Sequence, residues 1–105
     1  MVSRDVKITN NIGLHARPAT FFIQAANTFE SSVWLEKEEK RSNAKSLLGV
    51  LALGIIGGSQ IKIIASGPDE DIAVKTLEKF INSGFENEDE LKLWIEELSV
   101  SVPEE

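Results

Sequence analysis

The spacing of apolar residues switches repeatedly along this chain, and that alternation constrains the fold more than any single motif. Val2, Val6 and Ile8 alternate with Ser3, Asp5, Lys7 and Thr9, as in a strand with one buried face; Arg4 interrupts the apolar side and suggests a sheet margin. From Ala16 to Phe29 the spacing is helical, with Ala19, Phe22, Ile23, Ala26 and Phe29 on one stripe and Phe21 off it, partly exposed. Ser31-Ser32 opens a second strand, with Val33 and Leu35 on one face and Trp34 and Glu36 on the other. Glu36 to Lys40 forms a charged turn, and Arg41 to Ala44 a short edge strand. Ser46, directly before Leu47, Leu48, Val50, Leu51 and Leu53, is the N-cap of a short helix that Gly54 ends. Ile61, Ile63 and Ala65 mark the last strand, and Asp69 caps a helix with Ala73, Leu77, Phe80 and Ile81 on its stripe. Asn87 caps a further helix with Leu91, Trp94, Ile95 and Leu98 at i, i+3, i+4 and i+7, and 99–105 form a frayed end. The order predicts an α+β domain, with helices layered on one face of a mostly antiparallel sheet.

At 105 residues the chain has room for one core and not two. It contains no cysteine and one histidine, which excludes disulfides and cysteine nucleophiles and disfavours a structural zinc site. No signal peptide precedes Arg4 and Asp5, and the longest apolar run, Leu47 to Ile56, is too short to span a bilayer. A cytoplasmic location is expected. The net charge of −6 is uneven: from Glu86 onward eight acids face one lysine, while the first 85 residues carry nine acids and ten bases. Nothing resembles the clustered basic surface of a nucleic-acid binder. A local basic spot around Arg17 and Lys45 would suit an acidic protein partner.

The one histidine lies in Gly13-Leu14-His15-Ala16-Arg17-Pro18-Ala19-Thr20. Asn10, Asn11 and Gly13 are turn formers, and Pro18 fits a first helical turn, so His15 is expected at a helix N-terminus. The unpaired N–H groups there and the helix dipole favour an anion, and they disfavour the imidazolium form. A neutral imidazole is a nucleophile near neutral pH. If it attacks a phosphoryl group, the oxygens meet the Ala16 and Arg17 backbone at the helix start and the Arg17 guanidinium fork. Taken alone, the same spacing also fits an idle surface histidine beside a solvated arginine. No phosphate-binding glycine loop, nucleophile–base pair or metal cluster supports a self-sufficient kinase or hydrolase.

Together with Lys45-Ser46-Leu47-Leu48-Gly49-Val50-Leu51-Ala52-Leu53-Gly54, the histidine block resembles HPr, the phosphocarrier of the bacterial phosphoenolpyruvate-dependent sugar phosphotransferase system. The resemblance covers roughly residues 1–83. It implies an open-faced β-sandwich: four antiparallel strands, ordered first–fourth–second–third, with three helices on one face, here with an extra C-terminal helix. It also implies that His15 is phosphorylated on Nδ1 by enzyme I and donates to sugar-specific enzyme IIA components, with Arg17 stabilising the phosphate. Ser46 matches the serine modified by HPr kinase/phosphorylase, a modification tied to a catabolite-control transcription regulator. Leu47, Leu48 and Leu51, core by spacing alone, would form a partner-docking face, flanked by Thr20, Phe21, Gln24 and Lys45. The protein would be a monomeric, stoichiometric carrier needing no cofactor or metal, binding no nucleic acid and not inserting directly into a membrane. An HPr-like regulatory adapter in carbon or nitrogen signalling is the alternative, although carrier-dead relatives lack the histidine that His15 retains.

The resemblance divides the chain into an HPr-like domain, 1–85, and an acidic amphipathic extension, 86–105. Ile56 and Gly57 depart from the family in a partner-facing loop. Trp34 and Ile64 place large apolar groups on the sheet face away from the helices, and the extension's helix needs an apolar partner. The sequence therefore predicts that the extension folds across that face.

Overall fold

In the computed structural model, which describes residues 1–9, 16–85 and 87–100, the chain forms four strands and four helices. They are β1 (Val2–Lys7), α1 (Ala16–Ala26), β2 (Ser32–Lys37), β3 (Lys40–Asn43), α2 (Leu47–Ala52), β4 (Gln60–Ser66), α3 (Glu70–Asn82) and α4 (Glu88–Val100). The sheet is antiparallel in the order β1-β4-β2-β3, the open-faced arrangement expected. Period-2 alternation places Val6, Val33, Leu35, Ile61, Ile63 and Ala65 on one face. There they meet Phe22 and Ala25 of α1 and Ala73, Leu77, Phe80 and Ile81 of α3. Arg4 shares the strand's inward side, but β1 is an edge strand, so its guanidinium reaches the margin and donates to Glu78 of α3 at 2.6 Å. The turn from β2 to β3 is tight, with Glu38 and Glu39 both left-handed. Among the described residues no helix is long and apolar enough to cross a membrane.

Three local expectations change. The first helix stops at Ala26 rather than Phe29, where Asn27 and Thr28 hydrogen-bond back to the carbonyls of Ile23 and Ala25. Phe21 is buried, at 8% exposure. The stripe reading assumed one covered side, whereas α1 packs against α2, α3 and α4. The last helix continues through Val100, beyond the fraying point expected at Ser99; residues 101–105 lie outside the described residues.

Asp69 occupies the N-cap position of α3, but its side chain makes no cap bond there. Its carboxylate instead accepts the N–H groups of Glu30 and Ser31, each at 2.9 Å, and the Ser31 hydroxyl. It thereby ties the α1–β2 connection to the start of α3. Partial burial pushes the Asp69 carboxyl upward, but the Ser31 hydroxyl and the two N–H donors outweigh it and hold the pKa below its ordinary value. A lowered native pKa gives stability that is complete above the unfolded carboxyl's pKa, about 3.9, and is lost as the pH falls through the native value. Asp69→Asn is therefore expected to cost about 1–3 kcal/mol at neutral pH, because buried Ser31 loses acceptors. The gap to wild type should narrow as the pH falls below about 4. Urea midpoints at pH 7 and pH 3 check this, and an equal gap at both would contradict it.

The extension does not cover the open sheet face. After α3 the chain reverses through Gly84 and Phe85, both left-handed, with the Phe85 N–H donating to the Ser83 hydroxyl at 3.2 Å. Asn87 then caps α4, accepting the Glu90 N–H at 3.0 Å. The helix turns back onto α1, burying Leu91 with the main core and packing Trp94, Ile95 and Leu98 against it. Trp94 meets Phe80 edge-to-face, with centroids 5.4 Å apart, and Lys79 lies 4.2 Å over its ring. The reversal decides the outcome, because two left-handed residues send α4 to the helical layer. Ile64 is nonetheless only 2% exposed. The register sets Ile64 between Trp34 and Ser3, and such directly opposed cross-strand pairs shield one another.

Candidate functional site

The histidine block runs into α1 and the serine block forms α2, and these two helices pack together. His15 lies outside the described residues. The helix it was expected to precede begins at Ala16, with no acidic residue in its first turn. Its N-terminal N–H groups and dipole therefore face no carboxylate from their own helix. Pro18 is buried in that turn, while Arg17 and Thr20 are exposed. The Arg17 side chain keeps 72% of its surface, and its Nε lies 2.8 Å from Oε2 of Glu88 at the start of α4. Such a guanidinium can still present its other nitrogens to an anion.

Ser46 sits as expected. Its side chain accepts the Gly49 N–H at 3.2 Å, and its backbone is extended ahead of α2, a cap worth about 1 kcal/mol. Asn27 pins the approach to α2, donating to the carbonyls of Ile23 and Lys45 at 2.9 and 3.4 Å. Val50 and Leu53 turn inward, whereas Leu47 and Leu48 face solvent, Leu48 at 79% exposure. Leu51 is half-buried against the core. Spacing alone made all three core; a six-residue helix lying on the α1 flank can bury only one narrow stripe. Ile56 is also exposed.

Gln24 is exposed beside these elements, but buried Phe21 offers a partner little surface. The basic spot expected around Arg17 and Lys45 does not form. Lys45 donates to the Phe29 carbonyl at 2.7 Å, past the far end of α1. From Arg17 to Ala26 the helix already spans about 13 Å. Both cations are engaged, Arg17 by Glu88 and Lys45 by backbone. Glu88 is the residue that sequence reasoning missed. An acid in a first helical turn is explained by the dipole alone, and nothing local signals an arginine 71 positions away.

Among the described residues no group of three or more histidine, cysteine, aspartate or glutamate side chains could hold a metal. An open groove of about 230 Å³ lies elsewhere, between Thr76, Lys79 and Phe80 of α3 and Trp94, Glu97 and Leu98 of α4. The first turn of α1 and the flank formed by α2 are thus open surface: an anion-favouring helix start with an arginine, and exposed Leu47 and Leu48. Such a surface suits transfer between proteins rather than enclosure of a small substrate.

A family model described as the PTS HPr component phosphorylation site matches residues 2–83. The phosphocarrier protein HPr of Treponema pallidum (strain Nichols) is 40% identical over 88 residues, spanning 84% of this chain and 100% of that protein. The HPr-like protein Crh of Bacillus subtilis (strain 168) is 42% identical over 81 residues, spanning 77% and 95% respectively. Among solved structures, HPr-C-His from Thermoanaerobacter tengcongensis superposes with a TM-score of 0.80 at 44% identity, covering 83% of this chain and 98% of that one. The family match ends before α4 begins.

Proposed function

Since this chain belongs to the HPr family of the phosphotransferase system, the family match taking in residues 2–83, we propose that it is a stoichiometric phosphocarrier working through His15. A neutral ring nitrogen of His15 attacks the phosphorus carried by phosphorylated enzyme I. A P–N bond forms as the donor's bond to phosphorus breaks, and the donor keeps the electron pair. The same exchange with a sugar-specific enzyme IIA component returns His15 to its neutral form. The observation that carries this reading is the block from Gly13 to Ala19 within the matched range, with solvent-open Arg17 in the first turn of α1. The N–H groups of that turn and the Arg17 guanidinium take the charge of the transferring group. Leu47, Leu48 and the half-buried Leu51 form the apolar docking face, with Thr20 and Gln24 at its edge. The protein acts as a monomer in the cytoplasm, its domain being 1–85 and its extension 86–105.

Ser46 adds regulation to this reading. No acid stands in the first turn of α2, so a phosphoserine made by HPr kinase/phosphorylase is compatible with the helix. It places roughly two negative charges beside the docking leucines, where acidic partners are repelled. Intact mass after incubation with enzyme I and phosphoenolpyruvate tests the carrier step. One acid-labile phosphoryl group, absent from His15→Ala, is the expected result. ATP with the kinase should add an acid-stable group that Ser46→Ala removes. Similarity to an HPr-like protein favours a second reading, a regulatory adapter docking through the α2 surface. Kinase-dependent modification without any enzyme I-dependent uptake would establish that reading and overturn the first.

A further inference from the structure

We infer that Glu88, supplied by the extension, is a positioning residue that competes with the phosphoryl group for Arg17. The inference rests on the carrier reading for its functional consequence and on the ion pair for its physical content. Glu88 Oε2 lies 2.8 Å from Arg17 Nε. The carboxylate is not carried by a loose tail. Asn87 caps the helix directly before it, Leu91 is buried one turn later, and Trp94 meets Phe80 edge-to-face with Lys79 over its ring. The acidic first turn of α4, Glu88, Asp89 and Glu90, is thereby anchored beside the first turn of α1, which has no acid of its own.

The two states of a carrier feel this carboxylate differently. In the unphosphorylated protein Glu88 supplies an anion to Arg17. A phosphoryl group arriving near Arg17 carries more charge and can engage the guanidinium through two oxygens. Glu88 then loses its partner and faces a like charge. It therefore stabilises the empty carrier relative to the loaded one, making the protein a weaker acceptor and a readier donor. An exposed ion pair is worth a factor of about two to five in such a competition. That is weak enough to be displaced in every cycle, and it should shrink as salt rises.

Two measurements on wild type and Glu88→Gln test this. The substitution keeps side-chain length and leaves the Asn87 cap in place, so the fold should persist; an unchanged melting midpoint controls for that. Inorganic phosphate is titrated first, read by the NMR signals of the Arg17 Nε–H and of the Ala16 and Arg17 amides. Glu88→Gln should bind phosphate about two- to fivefold more tightly at low salt, with a shifted Arg17 Nε–H even before phosphate is added. Glu88→Asp should move back toward wild type. The phosphoryl-transfer equilibrium with enzyme I is measured second, and it should shift toward the loaded carrier by a similar factor. Identical phosphate affinity and an unmoved Arg17 signal would overturn the inference, whatever enzyme I does. A gain in phosphate affinity with no uptake from enzyme I in either protein would uphold the competition and reject the carrier reading.

Discussion

Gly67→Ala is expected to destabilise the protein by about 2–4 kcal/mol, combining backbone strain with overpacking. Gly67 has φ +150°, a backbone conformation that side-chain-bearing residues rarely adopt. A Cβ there would lie 2.6 Å from the Ser31 Oγ, 2.7 Å from its Cα and 2.9 Å from its Cβ. Ser31 cannot retreat, since it is buried and its N–H and hydroxyl are both held by Asp69. The Gly67 N–H also donates to Glu70 at 3.1 Å, so moving this residue disturbs the start of α3 as well. At roughly 4–8 °C per kcal/mol for a domain near this size, the melting temperature should fall by about 10 °C or more. Calorimetry of wild type and variant checks it, and a drop of only one or two degrees would show that the β4–α3 turn relaxes freely. The proposed phosphoryl-transfer surface lies on other elements, so any folded fraction should keep its reactivity.

Leu91→Ala should cost about 2–4 kcal/mol, the usual range for truncating a fully buried leucine. Leu91 is 1% exposed and is the anchor of α4 in the core. The cost has a ceiling. If the cavity is worse than exposing the whole helix face, α4 detaches locally and the loss stops at its docking energy. The two outcomes differ at Trp94, which packs on Phe80. In a Trp34→Phe background, a buried cavity leaves Trp94 emission near that of the parent, whereas detachment shifts it to the red. Urea denaturation read by both circular dichroism and Trp94 emission separates them. A loss below about 1 kcal/mol with unchanged emission would mean that Leu91 contributes far less than its burial implies. Detachment would also remove Glu88 from Arg17, so this variant should reproduce the phosphate-binding gain of Glu88→Gln.

Most of the architecture was readable along the chain because its causes are short-range. Alternation at Ile61, Ile63 and Ala65 needs only two-residue periodicity, and the helical stripe at Ala73, Leu77, Phe80 and Ile81 only one helix. The caps at Ser46 and Asn87 act on N–H groups three residues away. Asp69 marks where this kind of reasoning stops. Its position at the head of α3 was correct, but its carboxylate serves Glu30 and Ser31, 39 and 38 residues earlier. Phe21 was misplaced for a related reason: a helix stripe reports how wide an apolar arc is, not how many neighbours cover it.

The nucleophile candidate, the arginine, the capping serine and the order of strands and helices follow from residue types and local spacing. Those properties belong to the chain before it meets itself. Where α4 lies, which leucines of α2 remain exposed and which carboxylate holds Arg17 were settled only in three dimensions. Amphipathicity states that Leu91, Trp94, Ile95 and Leu98 need an apolar surface, but both the open sheet face and the helical layer offered one. The left-handed pair Gly84–Phe85 and the fit of Trp94 against Phe80 and Lys79 chose between them. The Arg17–Glu88 pair is a consequence of that choice, since contact between residues 71 apart exists only once the whole layer has packed.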